Sequence, residues 1–197
     1  VLGEFQKSYP NCLIAIEPGD TETAVDLMDN NKVDLAIALK PRQDDQIEFV
    51  PLFTDELAFL VGPAHPWAVQ GQVNREDIPK QNYVLYGKNS YTFRLIEEYF
   101  IQEDMVLNTV IELGSMEAIK ELVKLGLGAS ILAPWIAQEE LRDKSLVCLP
   151  LGRRKLKRSW GIVHHRHKRL SLVEETFLNL CKTLTQNIGR EAVALSA

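Results

Sequence analysis

No apolar run in this chain reaches the ~18 residues that a membrane-spanning helix needs. No stretch reads as a secretory leader either. Cysteine is scarce: Cys12, Cys148 and Cys181 lie far apart. That excludes metal-type spacing and a disulfide framework, and points to buried free thiols in a reducing compartment. The usual catalytic signatures are missing. There is no Gly-x-Ser-x-Gly elbow, no phosphate-cradling glycine loop followed by Lys-Ser/Thr, and no metal-spaced His/Glu pair. Gly126-Leu-Gly128 lacks a third glycine and follows a helical pattern, the wrong context for a dinucleotide loop. An enzyme is therefore not expected, nor a bound cofactor. Positive charge is not in excess: 22 Lys and Arg face 27 Asp and Glu, a net charge of −5, so bulk electrostatics do not drive binding to a polyanion.

Two local clusters need a separate reading. His164-His165-x-His167 suggests a metal site, but on a strand only His165 and His167 share a face, and Arg166, Lys168 and Arg169 repel a cation. A polar strand end is the expectation, with no metal. The basic run Arg153-Arg-Lys-Leu-Lys-Arg158 lacks interleaved aromatics and reads as a solvated loop rather than a nucleic-acid patch.

What is present is apolar patterning, at 46% of residues enough for one domain or two small lobes. Glu112 to Pro134 is the most informative stretch. A strand ends in Gly114-Ser115, with Ser115 where a helix N-cap is wanted. Ile119, Leu122 and Val123 form a helical stripe, Gly126 ends it, and Ala129 to Leu132 is a second strand. A strand feeding a helix through Gly-Ser presents N–H groups and a positive dipole end, suited to an anion or a hydroxyl-bearing metabolite. Elsewhere, strands are expected at Leu13–Glu17, Asp34–Leu39, Ile47–Leu52, Glu56–Val61, Tyr83–Tyr86, Thr109–Leu113, Leu146–Leu149 and Trp160–His164. Helices fall between them, with Asp20 or Thr21 as one cap and Ser171-x-x-Glu174 as a capping box. Strands alternating with helices predict a mainly parallel α/β sheet. Val173, Phe177, Leu180, Cys181 and Leu184 are the expected buried face of the last helix, and the tail after Gly189 reads as frayed.

The ordered series Phe5-Gln-Lys-Ser-Tyr-Pro10, Asp26-Leu-Met, Val33-Asp-Leu-Ala-Ile37, Pro51-Leu52, Leu60-Val61, His65-Pro-Trp-Ala68, Glu112 to Pro134 and Trp160-Gly-Ile-Val163 resembles the effector-binding domain of LysR-type transcriptional regulators. The resemblance covers nearly the whole chain. It implies two Rossmann-like lobes joined by two crossover strands, like type II periplasmic binding proteins. Lobe I would hold residues 1–66 and 159–197, and lobe II residues 67–158. The family's winged helix-turn-helix DNA-binding domain, and its first strand with a Ser/Thr turn, have no counterpart here.

The resemblance also implies a small-molecule effector in the cleft between lobes, contacted by Thr21, Ser90, Thr92, Ser115 and Met116. Plain capping and turn-forming are the competing roles for these residues. Lys88 and Arg94, where they face the cleft, favour an anionic effector; Asp20 favours an amine or hydroxyl. A side-by-side antiparallel homodimer or a homotetramer is implied, with Val25 and Met28 or the last helix supplying apolar contacts. DNA would be bound only through the N-terminal domain, in a bacterial cytoplasm. A solute-binding protein for transport shares the same physics. So does a two-lobed deaminase or prephenate dehydratase, but no catalytic constellation can be assigned.

Overall fold

Helices α1 (Leu2–Ser8) and α2 (Thr21–Asp29) precede strands β1 (Ala36–Leu39) and β2 (Ile47–Val61). Then come α3 (Pro66–Gln70), a 3-10 turn (Arg75–Lys80), β3 (Asn82–Tyr86), α4 (Tyr91–Ile101), β4 (Asn108–Leu113), α5 (Met116–Lys124) and β5 (Ser130–Leu132). A second 3-10 turn (Pro134–Ala137) leads into α6 (Gln138–Arg142), β6 (Val147–Pro150), β7 (Leu156–His165) and α7 (Leu172–Leu184). The structure, a computed structural model, describes residues 1–42 and 45–188, so the expected frayed tail lies outside the described residues. Two compact units result: Val1–Asp55 with Arg158–Ile188, and Glu56–Lys157. The chain thus leaves the first unit within β2 and returns within β7. The sequence places the first passage after Pro66. The earlier passage has a plain cause: Ala58 to Val61 already pair with β5 and β6 of the second unit.

In the first unit, β1 pairs antiparallel with β7, from Ala36 opposite Val163 to Leu39 opposite Trp160, and β7 neighbours β2. Side chains alternate across this sheet. Met28 of α2 packs with Ala38, Ile47 and Val163 on one face. Leu178 and Cys181 of α7 pack with Ile162 and partly buried Val50, Leu52 and Phe177 on the other. Gly161 has no room for a side chain: a Cβ there would lie 2.5 Å from the Val50 carbonyl oxygen and the Phe49 ring. Phe5 of α1 meets the edge of Phe177, their centroids 5.3 Å apart.

Several expectations need correction here. Met28 is fully buried and offers nothing to a partner. On the last helix Leu178 takes the core position, while Leu184 is 45% exposed, because the stripe is rotated towards Leu178 and Cys181. Leu13–Glu17 forms no strand; Leu13 is 95% and Ile16 67% exposed. A short apolar run makes a strand only where a neighbouring strand accepts its backbone groups.

The second unit holds the larger core. Strand β3 pairs in parallel with β4, and a parallel bridge from Tyr83 to Ala129 brings in the start of β5. The second half of β2 pairs antiparallel with both β5 and β6. The sheets are therefore mixed rather than mainly parallel. The β3–α4–β4 and β4–α5–β5 crossovers give parallel neighbours, whereas the strands carrying the chain between units run against theirs. On one face Leu57, Phe59, Trp67, Tyr83, Ile96 and Phe100 cluster; on the other Leu60, Val84, Ile119, Val123 and Leu132 do. Gly126, at φ +77, ends α5 in the left-handed region, and Gly128 lets β5 start against β3, since a Cβ would lie 2.6 Å from the Asn82 carbonyl oxygen.

Strand β2 is continuous over 15 residues instead of breaking at Phe53–Asp55. The reason is a buried charge pair. Arg158 Nε donates to Asp55 Oδ1 at 2.9 Å and Arg158 Nη2 to Oδ2 at 2.5 Å, while Trp160 Nε1 also donates to Oδ2 at 2.9 Å. Asp55 is 3% and Arg158 5% exposed. The basic run is thus not simply a solvated loop. Its last member is a core residue, and Arg154 lies over the Tyr99 ring with Nε bonded to Glu103 at 2.7 Å.

Candidate functional site

In the second unit two helices start at neighbouring strand ends. The parallel register sets Leu85 beside Glu112 and Tyr86 beside Leu113, and the Gly87 N–H continues the pairing to the Leu113 carbonyl at 3.2 Å. Each strand then turns into a helix through a serine. Ser90 Oγ accepts the Phe93 N–H at 3.1 Å, capping α4. Ser115 Oγ accepts the Ala118 N–H at 3.3 Å, capping α5. Both caps follow the sequence rule that a short hydroxyl side chain supplies the acceptor a helix start lacks. Two positive dipole ends therefore open beside one another, a setting that favours negative charge.

Charged groups frame this end. Lys88 Nζ lies 3.0 Å from Glu112 Oε1, and the Lys88 N–H donates to Glu112 Oε2 at 3.3 Å. Hydrogen bonding from the Lys88 side chain holds the Glu112 carboxyl below its ordinary range, so it is anionic at neutral pH. Arg94, one turn into α4, sits with its guanidinium 5.7 Å from the Tyr91 ring centroid.

The residues expected from sequence fall as follows. Ser90 and Thr92 are half-buried at the start of α4; Ser115 is exposed and Met116 is 43% exposed at the start of α5. These four share the carboxyl end of the β3–β4 pair. Thr21 belongs to the first unit. Its hydroxyl accepts the Leu39 N–H at 3.2 Å and the residue is 6% exposed, so it ties α2 to β1. Asp20 caps α2, taking the Thr23 N–H and hydroxyl at 2.9 Å each.

The histidines and thiols have structural settings. His165 Nε2 donates to the Met28 carbonyl at 2.9 Å, at the C-terminal end of α2, and His164 is buried. His65 caps α3 through Nδ1, which accepts the Trp67 N–H at 3.2 Å. Burial pushes Cys148 and Cys181 up to about 11, so neither is a thiolate at neutral pH. Sequence reasoning missed Glu112. It reads as an ordinary strand residue, and only the parallel register brings it to Lys88, 24 positions earlier.

The sequence profile of the LysR substrate binding domain matches residues 1–186. The transcriptional activator CmpR of Synechocystis sp. (strain PCC 6803) is 28% identical over 179 residues, covering 91% of this chain and 59% of that protein. The RuBisCO operon transcriptional regulator of Allochromatium vinosum is 25% identical over 171 residues, covering 87% and 57%. The chain therefore spans about three-fifths of the length of the curated relatives it matches. Among solved structures, the Synechocystis PCC 6803 CcmR regulatory domain in complex with 2-PG superposes with a TM-score of 0.85 at 26% identity, covering 95% of this chain and 90% of that one. The effector binding domain of QuiR in complex with shikimate has a TM-score of 0.80 at 21% identity, covering 95% and 89%, a likeness of fold.

Proposed function

The chain belongs to the LysR substrate-binding domain family, and on that premise we propose that it is the effector-sensing part of a DNA-binding transcriptional regulator, responding to a small anionic metabolite. The observation that carries this reading is the pair of serine-capped helix starts at adjacent ends of β3 and β4. Ser90, Thr92, Ser115 and Met116 are the proposed contacts there, with Lys88 and Arg94 favouring negative charge. The proposed role of Thr21, in the first unit, is a supporting one at the start of α2. Thr21 acts there by holding that helix start to β1, since its own hydroxyl is engaged. The likeness to a regulatory domain in complex with 2-PG supports an anion and makes 2-PG the first compound to try. A transport protein fits less well, because the family match and the curated relatives are regulators. A cytoplasmic setting belongs to the same proposal; no helix among the described residues is long and apolar enough to cross a membrane.

The proposed partner is a second copy of the chain, as a dimer or tetramer. A cavity of about 90 Å³ beside α4, lined by Phe93, Ile96, Phe100 and Met105, includes exposed Ile101 and Val106 in its lining, and such apolar surface calls for cover. DNA would be reached through a separate N-terminal domain.

A thermal-shift series tests the central reading. A ligand held only by the native state raises the melting temperature with concentration. 2-PG is expected to raise it and Ser115→Ala to weaken the response. No shift with 2-PG, shikimate or inorganic phosphate would overturn the reading.

A further inference from the structure

Glu112 occupies two donors that an anionic ligand would use. Its Oε1 faces Lys88 Nζ at 3.0 Å and its Oε2 takes the Lys88 backbone N–H at 3.3 Å. Glu112, near the end of β4, is three residues before the Ser115 cap, and Lys88, on the turn after β3, is two before the Ser90 cap. Neither side chain is locked in a core, with 68% of Lys88 and 34% of Glu112 exposed. A pair so wetted is weakly held and exchangeable, because Coulomb attraction is screened by water and offset by side-chain ordering.

We propose that Glu112 is a specificity-determining residue of the effector site, an internal carboxylate that holds Lys88 until an anionic effector displaces it. The inference rests on the effector site proposed above. Glu112 sets a threshold. A neutral molecule has nothing to gain from freeing Lys88, and a weakly charged one gains little. A ligand with a carboxylate or phosphate replaces one anion by another and relieves the repulsion between itself and Glu112 as the side chain swings away. Binding of the anion is therefore coupled to release of a side chain from the end of β4, next to the start of α5.

Isothermal titration with 2-PG and with inorganic phosphate tests this on the wild-type chain, Glu112→Gln, Lys88→Met and the double variant. Glu112→Gln keeps the shape and removes the charge, so it is expected to bind 2-PG about 3- to 10-fold more tightly, the scale of a surface ion pair plus a nearby like charge. Lys88→Met is expected to bind more weakly than wild type. In the Lys88→Met background the gain from Glu112→Gln should shrink to under about 2-fold, because the two residues act as one coupled pair. Wild-type binding with Glu112→Gln unchanged or weaker overturns the role of Glu112. A full gain persisting without Lys88 also overturns it, leaving only through-space repulsion. An absence of binding by all four proteins overturns the site itself.

Discussion

The two units solve the same packing problem with different materials. The second closes around large rings, with Phe59 of β2 packed against Trp67 of α3, Tyr83 of β3 and Phe100 of α4. The first has two small clusters, one per sheet face, and adds a buried bidentate ion pair where β2 and β7 leave it. It also leaves Leu13 and Ile16 in water on a short apolar run that reads as a strand. A half-buried sheet is stabilised by pairs, so an apolar pattern without a neighbour remains an irregular segment. The unit with the larger aromatic core is also the one that presents two capped helix starts side by side.

The contrast is sharpest in the cores. Phe59→Ala should cost about 3–5 kcal/mol, by transfer and cavity effects in a fully buried cluster. Arg158→Met should cost a similar amount, about 3–5 kcal/mol, by leaving the Asp55 carboxylate buried without its guanidinium. Residue-resolved hydrogen exchange is expected to show the first opening residues 56–157 and the second opening the first unit. Equal acceleration in both units by either variant would mean that the chain unfolds as one body. Gly161→Ala comes next, at about 1–3 kcal/mol by overpacking against Val50 and Phe49, read as a lowered denaturation midpoint with an unchanged slope.

Ser115→Ala should cost about 1 kcal/mol of stability through the lost cap. Its larger consequence is expected in ligand affinity; an affinity equal to wild type would leave Ser115 a cap alone. The smallest effect concerns pH. Burial is the main cause holding the His65 imidazole below its ordinary value, and its Nδ1 must stay unprotonated to accept the Trp67 N–H. A histidine depressed in the folded state contributes stability that is present above the unfolded value of about 6.5 and is lost as pH falls through the folded one. The melting temperature should therefore decline slightly from pH 7 to 5, and His65→Asn, which keeps an acceptor that does not titrate, should flatten that decline.

Local rules made much of the second unit readable. Ser115, the Ile119 and Val123 stripe, Gly126 and the short run to Leu132 announce β4–α5–β5 within about twenty residues, and the capping box at Ser171 and Glu174 announces α7 as plainly. What escaped depends on residues distant in the chain. Asp55 reads as a break between two strands until Arg158, 103 positions later, neutralises it. Arg158 reads as solvent-facing for the same reason. Strand direction escaped because alternation of strands and helices says nothing about the return strands. Thr21 was placed at the right helix start, but its engagement with Leu39 depends on β1 packing beside it.

The central claim is that an anion is gripped where α4 and α5 begin. A ¹⁵N-resolved NMR titration of the chain with 2-PG reads those positions directly. The account predicts saturable shifts concentrated in the backbone amides of Tyr91–Phe93 and Met116–Ala118, together with that of Lys88. Saturable binding that leaves these amides unmoved while perturbing others would contradict it.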